Sequence, residues 1–164
     1  MGLYHYLVRL TGDADLASDA AQEAFVRLLT DPPALAPAAS EHDAHRAERA
    51  WLYRVATNVA LEQARTDARL RRLLAASPGR APVADPAPAG DELTEARERH
   101  ARVEAALAAL PPRDRTALLM RESGFSHREI AAAVGTTTGS VGTVVARALA
   151  KLAAALPGRT REVL

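Results

Sequence analysis

Ser140, Thr143, Arg147 and Lys151 recur at intervals of three or four residues, a spacing that would place them along one edge of a helix. Thr138 stands near the start of that helix. Hydroxyls and helix N-terminal amides suit phosphate contacts, and an arginine reaches either a phosphate or a guanine edge. The row therefore offers duplex-binding chemistry, although two cations are a weak charge for a specific reader of DNA. Other chemistries find little support. The histidines His5, His42, His45, His100 and His127 lack the i, i+4 ligand spacing with a carboxylate, and His42-Asp43-Ala44-His45 is the only cluster that could pass for a metal pair. No phosphate-binding glycine loop and no nucleophile elbow occur. With no cysteine there can be no disulfide or thiolate metal site, which suits a reducing cytoplasm. We expect neither an enzyme nor a bound cofactor or metal.

The elements that would hold the row are written locally. Ser126-His127-Arg128-Glu129 has the form of a capping box, so a helix should begin there, just after a turn at Gly124. Ile130, Ala131 and Val134 face inward from it, and Gly135 stands where a left-handed cap ends it. Thr136 to Ser140 supply caps for the next helix, whose inner face is Val141, Val145 and Ala148. A small Ala131 lets the two helices cross closely, and Val141 fills the corner between them. This is the pattern of a helix-turn-helix. The alternative is an αα-hairpin that merely packs.

Upstream, Asp15–Leu29 carries Leu16, Ala20, Ala24, Phe25, Leu28 and Leu29 at helical spacing, with Asp19, Gln22, Glu23 and Arg27 opposite. Residues 46–74 form a second amphipathic helix on Trp51, Leu52, Val55, Val59 and Ala60, running into Arg65, Arg69, Arg71 and Arg72. Val103, Ala106, Leu107 and Leu110 define a third helix, ended by Pro111-Pro112, and Ala117, Leu118 and Met120 a short fourth. No segment alternates as a strand does. The fold class is all-α: two small helical domains joined by a flexible linker, the second a helix-turn-helix domain. The boundaries are 1–74 for the first domain, 75–93 for a Pro/Ala-rich acidic linker, 94–156 for the second domain and 157–164 for a tail.

The net charge of +1 is unevenly distributed: residues 1–43 carry two arginines against seven acids, while residues 44–74 carry seven arginines against three. Residues 94–164 hold eleven basic residues against seven acids, so two basic blocks flank an acidic linker. Aromatic residues make up only 4% of the chain and much of its apolar content is alanine, which predicts thin cores. No apolar run is long enough to span a membrane and no secretory leader is expected.

The segment from Leu110 to Leu152 resembles region four of the bacterial RNA polymerase sigma factors of the extracytoplasmic-function type. Leu110-Pro111, Arg113, Arg115, Gly124, Glu129-Ile130-Ala131, Gly135 and Gly139-Ser140-Val141 carry the likeness. LTGDADLASDAAQEAFVRLL resembles the opening of the family's region two, through Asp19, Gln22, Glu23 and Phe25. RAWLYRVATNVALEQAR resembles its promoter-melting segment, through Trp51, Leu52, Arg54, Asn58 and Arg65. The resemblance implies a subunit that binds core RNA polymerase and directs promoter recognition and melting. Asp19, Gln22 and Glu23 would meet a coiled coil of the polymerase, and Arg54, Asn58, Arg65 and Arg69 would hold the minus-10 strand. Thr138, Ser140, Thr143, Arg147 and Lys151 would meet minus-35 DNA. An anti-sigma protein is a partner typical of the family; small-molecule substrates and membrane insertion are not implied. Trp51 reads as core in preference to a stacking platform for a base, and the linker as either a plain tether or a chain threaded through the polymerase.

Several positions depart from the family pattern. The family usually has a further helix before Leu3, so the first domain is expected to lack part of its packing. Thr57 stands where a basic residue is frequent, and Gly142-Thr143-Val144 where Lys-Ser-Arg is common. A glycine inside a helix costs roughly 1 kcal/mol against alanine. The competing reading is a stand-alone helix-turn-helix regulator that binds an operator without polymerase; it gives no reason for the two region-two likenesses.

Overall fold

A computed structural model of the chain describes residues 2–34, 40–75 and 91–156, and every regular element among them is an α-helix. They are α1 (Leu3–Thr11), α2 (Ala14–Thr30), α3 (Glu41–Ala75), α4 (Asp91–Ala108), α5 (Pro112–Glu122), α6 (His127–Val134) and α7 (Thr138–Ala155). The expected linker lies largely, and the tail wholly, outside the described residues. No described helix is long and apolar enough to cross a membrane.

Helix α1 is an addition to the helices expected from periodicity. It ends at Gly12, which takes the left-handed conformation at φ 75°. One residue later the Asp13 carboxylate accepts the backbone N–H groups of Asp15 and Leu16, each at 3.0 Å, and starts α2. Tyr6, Leu7 and Leu10 of α1 are fully buried, worth roughly 2 kcal/mol each against exposure. They meet α2 and α3, which approach through small side chains: Ala17, Ala20 and Ala24 from α2, Ala56 and Ala60 from α3.

This corrects the stripe expected for α2. Phe25 is 48% exposed and Leu29 83% exposed, while Leu16 and Leu28 are half-buried. The cause is steric: α2 lies close to both α1 and α3, and only alanine fits that spacing. Large apolar groups are left on its outer side. In α3 the buried set is Tyr53, Ala56, Thr57, Val59 and Ala60, with Trp51, Leu52 and Val55 half-buried.

The second group forms as its local signals predict. Ser126 and Glu129 make the reciprocal capping box, and Gly135 closes α6 at φ 65°. Ile130, Ala131, Val141 and Ala148 are buried, joined by Val144. Helices α5, α6 and α7 pack on one another, and α4 touches α7.

The two groups also pack together, through α1 against α4 and α5 and through α3 against α6. Tyr53 bridges them, its ring 5.0 Å from Tyr6 and 4.8 Å from Phe125. The Arg9 guanidinium donates to both carboxylate oxygens of Glu122 at 2.9 Å. Arg115 donates to the Leu10 carbonyl at 2.6 Å and to the carbonyls of Ala108 and Leu110.

Candidate nucleic-acid interface

Thr138, Ser140, Thr143, Arg147 and Lys151 are all exposed on α7, which packs on α5 and α6 and touches α4. Thr137 is the residue before α7, but its side chain caps no amide; its hydroxyl instead shares a 2.8 Å hydrogen bond with Ser140. The cations are not free. Arg147 donates from Nη2 to Asp114 Oδ1 at 2.7 Å and from Nε to Oδ2 at 3.2 Å, and Lys151 Nζ reaches Oδ2 at 3.0 Å. Asp114, in the first turn of α5, is 2% exposed. Hydrogen bonding to Arg147, aided by Lys151, outweighs burial and holds this carboxyl below the usual carboxylate range.

The second row lies on α3. Arg54, Asn58, Arg65 and Arg69 are four, seven and four residues apart, so they share one face of the helix. Asn58, Arg65 and Arg69 are exposed and Arg54 is half-buried. Across their 15 positions the row extends roughly 22 Å along the axis. Arg54 and Trp51 line a cleft of about 410 Å³ with Arg46 and, from α6, Arg128 and Glu129. Trp51, expected as core, is half-buried on the cleft wall and lies outside the buried core cluster. Arg46 stands 3.6 Å from Glu129 across this cleft.

Thr57, expected as a gap in a basic track, is instead 1% exposed and shares a 2.8 Å hydrogen bond with the Tyr6 hydroxyl. A lysine or arginine there would meet α1. Burial, opposed by that hydrogen bond, raises the Tyr6 phenol well above its ordinary value.

Asp19, Gln22 and Glu23 come together on the wall of a groove of about 770 Å³ between α2 and α3. Asp13, Asp15, Glu62 and Asp67 also line it, so it is strongly acidic. Glu23 is paired with Arg27 at 2.7 Å. The Gln63 side-chain oxygen on this groove is buried without a hydrogen-bond partner. Among the described residues no three His, Cys, Asp or Glu side chains converge to hold a metal ion, and the His45 ring bonds the Glu41 carbonyl oxygen at 2.9 Å.

Sequence reasoning missed Asp114, Arg49 and Phe125. Arg49 spans the two groups, donating to the Ser123 carbonyl at 2.8 Å with its guanidinium 4.4 Å from the Phe125 ring centre. No local signal marks these residues, because each meets its partner across tens of positions.

A helix-turn-helix with an exposed outer edge, beside a long helix carrying an arginine face, is the arrangement of a helical DNA-binding protein. Residues 2–70 match the family described as Sigma-70 region 2, and residues 100–152 match Sigma-70, region 4. The chain is 31% identical over 141 residues to the ECF RNA polymerase sigma factor SigE of Mycolicibacterium smegmatis, covering 85% of this chain and 51% of that one. It is 33% identical over 141 residues to SigL of Mycobacterium tuberculosis, covering 85% of this chain and 73% of the relative. The chain thus spans about half the length of SigE and about three quarters of SigL. In fold it is similar to the sigma factor RpoE of Bartonella quintana, solved in complex with the anti-sigma factor NepR. The TM-score is 0.66 at 22% identity, covering 93% of this chain and 88% of that one. The chain belongs to the ECF RNA polymerase sigma factors.

Proposed function

We propose that this chain carries core polymerase to promoters through three separate surfaces. The acidic groove wall at Asp19, Gln22 and Glu23 docks on a coiled coil of the core enzyme, with the exposed Val26 on the same wall supplying apolar contact. The α3 face of Arg54, Asn58, Arg65 and Arg69 holds the melted minus-10 strand, its cations following the backbone. The α7 edge of Thr138, Ser140, Thr143, Arg147 and Lys151 sits on minus-35 duplex. The observation that carries the reading is the single arginine face on α3 beside an acidic groove shared by α2 and α3: one helix pair meets both a polyanion and a protein. The division into a first domain over 1–74, a linker over 75–93 and a second domain over 94–156 belongs to the same proposal.

Minus-10 and minus-35 DNA lie about 25 base pairs apart, roughly 85 Å. A packed chain of this length has a radius of gyration of about 15 Å. Both elements are therefore engaged only after the two helical groups part. A protein antagonist is the further partner in this proposal; RpoE, which shares the fold, was solved bound to an anti-sigma factor.

Run-off transcription with core RNA polymerase over a promoter library tests the reading. Defined start sites that require this chain are expected, and DNA binding without any initiation refutes it. Reversing charge at Asp19 and Glu23 should abolish association with core while helicity is kept; unchanged association removes the docking assignment.

A further inference from the structure

Helix α7 carries two cations and no acidic residue, and both cations converge on the same carboxylate. We propose that Asp114 is a positioning residue for DNA binding: it holds Arg147 and Lys151 as one preorganised cationic pair on the outer edge of α7. The proposal rests on the reading that this edge meets duplex DNA.

Asp114 is 2% exposed, whereas the side chains of Arg147 and Lys151 are 50% and 46% exposed. The carboxylate thus sits inward and the cations are seen from solvent. Arg147 is gripped side-on through Nε and Nη2, leaving Nη1 uncommitted to Asp114. Lys151 uses one of three ammonium protons on Oδ2. The trio keeps a net positive charge and uncommitted donors on its outer side. The two residues are one helical turn apart, so a fixed pair presents donors along the helix edge. Stability alone is a poor reason for the arrangement, since an ion pair with a buried carboxylate gains little over apolar packing.

Two effects oppose each other when DNA arrives. Ordering a long side chain on binding weakens association by a factor of roughly two to ten, so two chains already ordered gain about tenfold. Repulsion between the Asp114 carboxylate and a phosphate beyond the cations, about 7 Å away through water, costs about twofold and is screened by salt. Positioning outweighs repulsion.

The test is anisotropy of the full chain with a labelled mixed-sequence 20-base-pair duplex, titrated at several salt concentrations. Asp114→Asn should weaken binding about fivefold, the tenfold loss of positioning less the twofold repulsion released, while the slope of log affinity against log salt is unchanged, because both cations remain. Arg147→Lys keeps the charge but loses the fork, and should weaken binding several-fold. In an Arg147→Ala, Lys151→Ala background, adding Asp114→Asn should weaken binding no further and should tighten it by about twofold at most, the repulsion released. A purely structural carboxylate would lower Tm in Asp114→Asn yet leave the affinity of the folded molecules unchanged; that result, or tighter binding, overturns the proposal. If Asp114→Asn fails to fold, Arg147→Lys decides, and wild-type affinity there refutes positioning. If the double alanine variant binds duplex as the wild type does, the assignment of the α7 edge to DNA fails, and this proposal falls with it.

Discussion

Arg49→Ala should loosen the packing of the first helical group on the second. Its guanidinium lies 4.4 Å from the Phe125 ring centre and 5.2 Å from that of Tyr53, and it donates to the Ser123 carbonyl at 2.8 Å. Each cation–π contact at an exposed site is worth about 0.5 kcal/mol, and the charge-assisted hydrogen bond about 1 kcal/mol after allowing for solvent. The sum of about 2 kcal/mol corresponds to roughly 30-fold in the closed-to-open equilibrium. The Tyr53–Phe125 ring contact at 4.8 Å survives the change, so closure is weakened without being abolished. Adding Glu122→Gln removes the exposed pair with Arg9, a further 0.5 kcal/mol or about twofold.

The chain has no cysteine, so Ser18→Cys and Ala153→Cys place dyes on exposed positions of α2 and α7 without background labelling. Single-molecule energy transfer in a urea series then reports opening, and circular dichroism reports loss of helix. We expect opening of the Arg49→Ala chain at lower urea than the wild type, ahead of helix loss. Arg27→Ala, which removes only a pair within α2, should not move the opening curve. Superimposable curves for Arg49→Ala and wild type, or opening that coincides with helix loss, would refute the reasoning.

Gly142→Ala should raise stability by about 0.5–1 kcal/mol, because a Cβ there would meet only the His127 ring at 4.0 Å; thermal melting reads the rise. Tyr6→Phe leaves the buried Thr57 hydroxyl without its 2.8 Å partner and should cost about 1–2 kcal/mol by urea unfolding. Asp114 gives the pH dependence its sign: its pKa is depressed on folding, so the stability it adds is present above the ordinary carboxylate range and is lost as pH falls through the depressed value. Asp114→Asn should therefore flatten the acid side of the Tm–pH curve, and an unchanged slope would contradict the pairing.

The helix-turn-helix was legible because its instructions are local. A serine three residues before a glutamate and a glycine at the end of a short apolar stripe each constrain a single turn. Fold class and the exposed rows on α3 and α7 followed from the same helical period. What escaped depends on how helices meet. Periodicity placed Ala20 and Ala24 in the core as found, but it also marked Phe25 and Leu29 as buried, and the close approach of α1 and α3 selected Ala17 instead. Thr57 read as a missing cation until α1 was seen to cover it. Asp114 went unmarked because no local signal singles it out: its partner Arg147 is 33 positions away.

The inversion on α2 bears on how a chain so poor in aromatic residues divides its apolar side chains between its own core and its partners. Small groups face inward, while Phe25, Val26 and Leu29 face solvent, Val26 on the wall of the acidic groove. Had the large groups faced inward, α1, α2 and α3 would have stood farther apart, and the outer face of α2 would have been merely polar. Burying those three outer side chains on a partner recovers roughly 1.5–3 kcal/mol each at full burial. In the proposed docking the carboxylates at Asp19 and Glu23 contribute far less stabilisation at a wet rim but would steer and orient the encounter. A close alanine core therefore does two jobs at once: it holds α3 tightly against α2, and it leaves the larger apolar groups of α2 exposed for the docking surface proposed above.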